Sequence, residues 1–315
     1  MHNQFERQST TAQKDSKRKH RIGRWIGAVL LLLLLILIFV IISNLRSTNY
    51  IRDDEVEVMT ELLETESEIR VKAEDIYHLD EVTPVSEEEL ADTWTLLVIG
   101  EGKEGEDWRE KALRAETETE TETGNGEPVD ESHGTAQGVI TMTINHRKKQ
   151  VYFYSFHKDL YVQLEQYGGQ HLGNVYAAGG GPLLMKTLES NYGIHIDQYA
   201  AIQLDNVAKI LQMDEFSDMD ISNGGIDVIE NLVFSMKEIA PAKMAGYVSK
   251  LLPYVSHNMN DVEMMRMILQ IPKVVQYSSV KGKIPYEGMY EEIDGYLVPQ
   301  IGETSDHMKS VIYGS

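Results

Sequence analysis

Ile26 to Ile42 is an unbroken apolar run, IGAVLLLLLLILIFVII, with Arg21 and Arg24 before it and Arg46 after it. At about 1.5 Å per residue it makes roughly 25 Å of helix, the short end of what crosses a bilayer core. Trp25 and Ser43 lengthen it, and Trp25 suits the headgroup level. The first 24 residues hold seven Lys or Arg against two acids, while the whole chain carries −21, so everything from Trp25 onward carries −26. The positive-inside rule then divides the chain. Residues 1–24 read as a basic cytoplasmic tail, 25–43 as one transmembrane helix, and the large acidic remainder as outside the cell. A cleaved signal peptide is the alternative. Its apolar region is usually shorter and ends in a small-x-small site, whereas Ser-Asn-Leu-Arg-Ser-Thr follows here, so the run reads as a retained signal-anchor.

About 270 residues follow the anchor, enough for one ordinary domain with a stalk or for two small domains. There is no cysteine, so an outside domain must be stabilised by its core alone. Thiolate metal sites and cysteine nucleophiles are excluded with it. This fits the exterior of a bacterium with a single-membrane envelope better than an animal cell surface. The acidic exterior argues against nucleic acid, whose phosphates need basic surface. It fits a place among wall polymers and divalent cations, although solubility alone explains it equally well.

Residues 44–92 are rich in Glu and Asp, with Val56, Met59, Leu62 and Leu63 at helical spacing. They read as a stalk or helix lifting the domain off the membrane, with a solvated acidic linker as the alternative. Thr83-Pro84 followed by Ser86-Glu-Glu-Glu predicts a turn into a capped helix. The outside domain then occupies 93–315. TWTLLVIG, Thr93 to Gly100, predicts a buried strand. A disordered loop is expected over 103–135, because its centre, ETETETETGNG from Glu116 to Gly126, has no apolar residue to bury. Val139–Ile144 and Val151–Phe156 predict two strands around a six-residue basic turn.

Gly179-Gly180-Gly181-Pro182 is expected to open a helix through Leu188. Tyr199–Leu204 predicts a strand, and Asp205 a cap for a helix to Leu211. Ile226–Ile239, Ala242–Leu252 and Asn260–Gln270 predict helices, the last starting at an Asn-Asp cap and stopping before Pro272. Val274–Ile284 and Tyr296–Val298 predict the closing strands. This order of elements means an α/β fold, an α+β sandwich with helices covering a central mixed sheet.

Several segments, in order, resemble the LytR–CpsA–Psr family. TLLVIG is similar to that family's opening strand. ITMTINHRKKQVYFYSFHKDLYVQL resembles its strand, Asn-Pro-Lys-Thr turn, strand and Pro-Arg-Asp block. YGGQHLGNVYAAGGGPLLMKTLESNYGIHIDQYAAIQLDNVAKIL resembles the next block, with its Tyr-Ala-x-Gly-Gly turn and Gly-Ile-x-Ile-Asp-x-Tyr strand entry. LLPYVSHNMNDVEMMRMIL and DGYLVP are similar to the closing helix and strand. The resemblance runs over roughly residues 94–300. It implies a membrane-anchored outside domain that transfers wall teichoic acid or capsular polysaccharide from a polyprenyl-pyrophosphate carrier to peptidoglycan. It also implies aspartates holding magnesium and arginines holding the pyrophosphate, since carboxylates suit a hard cation and guanidinium forks suit phosphate.

Carried over residue by residue, the resemblance meets substitutions. The first family aspartate falls near Glu101-Gly102 and the second on Gln137. The arginine two residues before the second falls on Thr135. The arginine of Pro-Arg-Asp is Lys158, and the aspartate after it is kept as Asp159. The lysine before the Tyr-Ala segment is His171, and the aspartate of the next strand is Gln203. The later Arg-x-Arg and Arg-x-x-Arg-Gln elements have no counterpart, and Gly224 to Lys250 holds only Lys237, Lys243 and Lys250 as cations.

The candidate ligand-binding residues are therefore Lys158, Asp159, His171, Glu101, Gln137 and Gln203. Catalytic residues are unassigned and no metal site is expected. Lys158 and Asp159 would touch a phosphate, or form an ordinary charge pair. Glu101 with Glu104 would replace a lost magnesium ligand, or be solvated loop acids. His157 and His171 would need a third ligand to hold a metal. Arg147-Lys148-Lys149 would solubilise the turn or bind an anion, and Gly179–Gly181 would cradle an anion or make a tight turn. Tyr152, Phe153, Tyr154 and Phe156 are core candidates. Val175, Leu183, Leu184, Leu188 and Ile202 would line the family's lipid groove, or simply pack.

Three functions stay open: a degenerate member that binds polyprenyl-phosphate lipid or wall glycopolymer, an active glycopolymer transferase, and a non-catalytic scaffold with envelope protein partners. Magnesium belongs only to the second. Losing one donor of the arginine type commonly costs 10²- to 10³-fold in rate, which favours the first and third.

Overall fold

A computed structural model describes residues 49–50, 73, 75–102, 134–165, 167–211, 225–239 and 241–314. The basic tail, the apolar run, most of the acidic segment, Glu104 and the Thr-Glu repeat lie outside these residues. Among the described residues no helix is long and apolar enough to cross a membrane.

TLLVIG becomes the middle of β2 (Thr93–Gly102), whose β-branched and aliphatic side chains suit a strand buried on both faces. β3 (Thr135–Asn145) pairs antiparallel with it, and β4 (Gln150–Phe156) with β3. β7 (Gln198–Gln203) lies parallel on the other side of β2. β8 (Val255–His257), β9 (Ser278–Ile284) and the two-residue β1 (Asn49–Tyr50) complete a mixed seven-stranded sheet of order β1-β8-β7-β2-β3-β4-β9. Two small hairpins flank it, β5 (Tyr161–Leu164) with β6 (Gly168–His171), and β10 (Tyr290–Ile293) with β11 (Tyr296–Pro299).

Helices cover both faces. α1 (Glu87–Leu90) is one turn, closed by the expected capping box of Ser86 and Glu89. α2 (Leu172–Tyr192) and α7 (Ile301–Ile312) pack together on one face. The other face meets α3 (Leu204–Leu211), α4 (Gly225–Ser235), α5 (Pro241–Leu251) and α6 (Asp261–Val274). Strand alternation assigns residues to faces. Leu97, Ile99, Val139 and Ala201 join the core under α2 with Val175, Leu184, Leu188 and Tyr192. Leu96, Val98, Met142, Ile144, Ala200 and Ile202 point the other way.

Several boundaries differ from the sequence reading. The acidic segment does not stay outside the domain up to residue 92. Ala73 and Tyr77 are buried in the core, with Ile76, Leu79, Val82 and Val85 packed against it, and the Tyr77 hydroxyl bonds Asn191. Burying these apolar residues is favourable, and their acidic neighbours Asp75, Asp80 and Glu81 keep their hydration by staying exposed. β3 takes in Thr135, paired with Gly102, so the loop expected to reach 135 is shorter. The hairpin pairs as far as Asn145 and Gln150, leaving four turn residues, not six.

The helix expected to open at Gly179 instead starts at Leu172 and kinks at the glycines, where Gly180 has φ 59°. Asp205 lies inside α3, not at its cap. α6 starts at the Asn260 capping box but runs past Pro272 to Val274, the buried Val274 holding the last turn down. β9 accordingly begins at Ser278, not Val274.

Candidate functional site

Glu101 is the next-to-last residue of β2, and its direct register partner on β7 is Gln203, the last residue of that strand. Across the other edge the β2–β3 register slips: Gly100 faces Gly138, but Glu101 faces Ala136. Gln137 is the extra residue of this bulge. A bulge re-aims a side chain at a strand end, and Gln137 turns its amide to the Thr135 hydroxyl at 2.6 Å. Two of the residues singled out in the sequence, Thr135 and Gln137, thus bond each other.

The Glu101 carboxylate is engaged. Its Oε1 accepts from the Gly134 amide at 3.0 Å and its Oε2 from the Tyr176 hydroxyl at 3.2 Å. Tyr176 sits in the second turn of α2. Burial, reinforced by the nearby Glu101 charge, drives its phenol pKa well above the usual range, so it stays a donor.

The start of α2 gathers the remaining residues. The Leu172 amide donates to the Leu160 carbonyl at 2.9 Å and the Gly173 amide to the Lys158 carbonyl at 2.8 Å. Gly173 suits this close approach, since a Cβ would lie 3.0 Å from the Ala136 carbonyl and 3.4 Å from Lys158 Cβ. Lys158 Nζ meets Asp159 Oδ1 at 2.7 Å, with both side chains part exposed. An exposed pair of this kind is worth at most about 1 kcal/mol. His157 Nδ1 lies 3.7 Å and His171 Nδ1 4.0 Å from the same carboxylate, and the His171 ring stacks on Tyr296 with centroids 3.7 Å apart.

All six predicted residues therefore reach one end of the sheet, around the start of α2. Tyr176, Thr135 and Tyr296 join them. Helical spacing gave Tyr176 no distinguishing mark, and Tyr296 comes from a hairpin far along the chain.

Magnesium with pyrophosphate needs several carboxylate oxygens and strong cationic donors. Here two of the positions are neutral amides, both Glu101 oxygens already accept hydrogen bonds, and Asp159 is matched to Lys158. This donor set does not fit that group.

Other sequence candidates fall elsewhere. Arg147 and Lys148 tie the β3–β4 turn to the end of α7, donating to the Tyr313 carbonyl at 3.3 Å and the Val311 carbonyl at 2.9 Å. Gly179–Gly181 are buried inside α2, and a Cβ on Gly181 would strike the Tyr199 ring at 2.5 Å. They serve close packing and open no helix N-terminus. Val175, Leu184 and Leu188 are fully buried on the inner side of α2, with Leu183 packed beside them. Only Ile202 of that group faces open space.

The space lies on the opposite face of the sheet, a cavity of about 200 Å³. Its walls are almost wholly apolar, with Leu96, Val98 and Ile202 from the sheet and Val248, Met264 and Met267 from the helices. His257 is the buried polar group of the wall, and burial lowers its pKa. Ile202 borders the cavity and the next residue, Gln203, stands in the polar cluster.

Residues 58–221, just over half of the chain, match the LytR_cpsA_psr family. The chain belongs to that family. Over 103 residues it is 33% identical to the polyisoprenyl-teichoic acid–peptidoglycan teichoic acid transferase TagU of Enterococcus faecalis, covering 32% of this chain and 31% of that protein. It is 29% identical over 92 residues to the regulatory protein MsrR of Staphylococcus aureus, covering 29% of this chain and 27% of that protein. The chain thus matches under a third of the length of these curated relatives. Among solved structures, protein gbs0355 from Streptococcus agalactiae has the same fold, with a TM-score of 0.50 at 14% identity over 71% of this chain and 89% of that one. The mixed sheet covered by helices is the fold of a LytR–CpsA–Psr domain.

Proposed function

We propose that this LytR–CpsA–Psr protein is a single-pass cell-envelope protein with its domain outside the cell. In this reading it binds a polyprenyl-phosphate lipid, or the glycopolymer such a lipid carries, without transferring it. The observation that carries the reading is the apolar cavity bordered by Ile202, one residue from a polar strand end that lacks the family's ligand set. A cavity with such walls suits a branched hydrocarbon tail. Lys158 suits a single phosphate as a point charge. The teichoic acid transferase among the relatives supports the ligand class. The substituted arginines and aspartates support the loss of transfer.

The test uses the full chain in detergent with a fluorescent short-chain prenyl phosphate. Met267→Trp, which fills the cavity, should weaken binding by at least about tenfold, the equivalent of 1.4 kcal/mol. Lys158→Ala should weaken it less. Equal affinity in the filled variant would sink the cavity as the tail site. Transfer of lipid-linked polymer to peptidoglycan by the natural sequence would favour an active transferase instead. For topology, external protease on protoplasts should remove the bulk of the chain, and a fully protected chain would overturn the orientation.

A further inference from the structure

The cavity has a second polar border, at the end away from Glu101 and Gln203. Trp94 and Ile144 pair with each other near the start of β2 and lie at that end of its wall, while Ile202 pairs with Gly100 toward the other. Trp94 and Gly100 are six residues apart, about 20 Å at roughly 3.3 Å each. α6 reaches this end, where Gln270 Oε1 meets His146 Nε2 of the β3–β4 turn at 2.9 Å. Glu263, Arg266 and Gln270 follow one another on α6 at steps of three and four, so they share one side of the helix. All three line the cavity, beside the apolar Met267 and Ile271.

Of these three, Arg266 is the uncommitted one. The Glu263 carboxylate accepts from the Asn260 amide at 2.8 Å, and Gln270 is held by His146. Arg147, the other arginine among the described residues, donates to the Tyr313 carbonyl at 3.3 Å. Arg266 is exposed and has no hydrogen-bond or ion-pair partner among the described residues. A long cation at such an edge lays its stem along the apolar wall and keeps its charge in water.

The border also limits what the guanidinium can take. Its planar fork matches a carboxylate with two parallel hydrogen bonds. One cation beside the Glu263 charge suits a single negative charge better than a doubly charged phosphate. The length of the wall suits one chain. A bilayer core about 30 Å thick holds two acyl chains end to end, so one chain spans about 15 Å. That fits within the distance from Trp94 to the level of Ile202 and leaves room for a head at the α6 border.

We propose that the cavity also takes a fatty acid, with its chain against the apolar wall and its carboxylate on Arg266. The fatty acid lies the other way round from the prenyl phosphate, whose head would stand at the Lys158 end. The two ligands then compete for one cavity through different cations. This rests on the cavity being a tail site, but not on the anchored topology.

The full chain in detergent is titrated with cis-parinarate, a fatty acid that fluoresces when its chain leaves water, and with the matching alcohol. The carboxylate should bind at least about threefold more tightly than the alcohol, the scale of one part-exposed ion pair. Arg266→Gln should erase that difference, and Arg266→Lys, which keeps the charge without the fork, should keep part of it. Met267→Trp should weaken both probes by at least about tenfold. If Arg266→Gln leaves the difference intact, the carboxylate is not on Arg266 and the proposal falls, while the cavity stands as a tail site. If Lys158→Ala is the variant that erases the difference, the head lies at the strand end and the proposal falls as well. If Met267→Trp weakens the fluorescent prenyl phosphate but neither parinaryl probe, the cavity takes no fatty acyl chain. If Met267→Trp weakens none of the three ligands, the cavity fails as a tail site and the proposal fails with it.

Discussion

The two faces of the central sheet are made by alternate residues of the same strands, yet they are packed to different standards. Under α2, Leu97 and Ile99 are fully buried among tyrosine rings and aliphatic side chains. Their neighbours Leu96 and Val98 keep 8% exposure and look into the cavity. The first face is filled by α2, whose glycines let it lie against Tyr199, together with α7. The second is covered by shorter helices, and their methionines and branched side chains leave a gap between helix and sheet. A close-packed face specifies the fold, whereas an underfilled face keeps room for a ligand.

Substitutions on either side can break this comparison. The largest effect should come from Leu184→Ala on the inner side of α2, which should cost about 3 kcal/mol as a buried cavity forms. Met267→Ala on the cavity wall should cost under about 1.5 kcal/mol, because the contacts it loses are already incomplete. Urea unfolding of the full chain measures both, and equal costs would mean that the two faces pack alike.

A sharper version uses neighbours. Ala201→Ile points into the packed face and should cost about 1–3 kcal/mol by overpacking. Ala200→Ile points into the cavity and should leave stability within about 0.5 kcal/mol, or raise it. A reversed order would contradict the assignment of faces. Tyr176→Phe, which removes the donor to Glu101, should cost about 1 kcal/mol. A change well beyond that would mean that Tyr176 organises more of the strand end than one carboxylate.

The smallest effect concerns pH. Burial lowers the His257 pKa in the folded chain below its ordinary value near 6.5. The unfolded chain therefore binds the proton first as pH falls, and stability is lost from about pH 7 downward. One such group contributes at most about 1.4 kcal/mol per pH unit. His257→Leu should flatten the fall in melting temperature between pH 7 and pH 5, and an unchanged slope would assign the acid sensitivity to other groups.

Much of the fold is legible from local chemistry. The alternation in TLLVIG and its partner strands, the Ser86 and Asn260 caps and the glycine run all declare themselves within a few residues. Misreadings came where distant packing overrode a local signal. Tyr77 is drawn into the core from an acidic segment, and α6 continues past Pro272 because Val274 has a buried place to go. At the candidate site, Lys158 and Asp159 are adjacent in the chain and easy to pair. The bulge that sets Gln137 beside Thr135 depends on how β2 meets β3 and leaves no mark in either strand alone.

What the sequence determined by itself is composition and order: an apolar run with basic residues before it, an acidic remainder, and the succession of strands and helices. These follow from the preferences of each segment taken alone. Only the tertiary structure decided which face of the sheet is full and which is open. Val175, Leu184 and Leu188 have the composition of a lipid groove and turn out to be solid core, while Ile202 borders the cavity. Apolar side chains look the same in sequence whether their partners across the gap fit closely or not, and the fit depends on the lengths and crossings of helices far away in the chain.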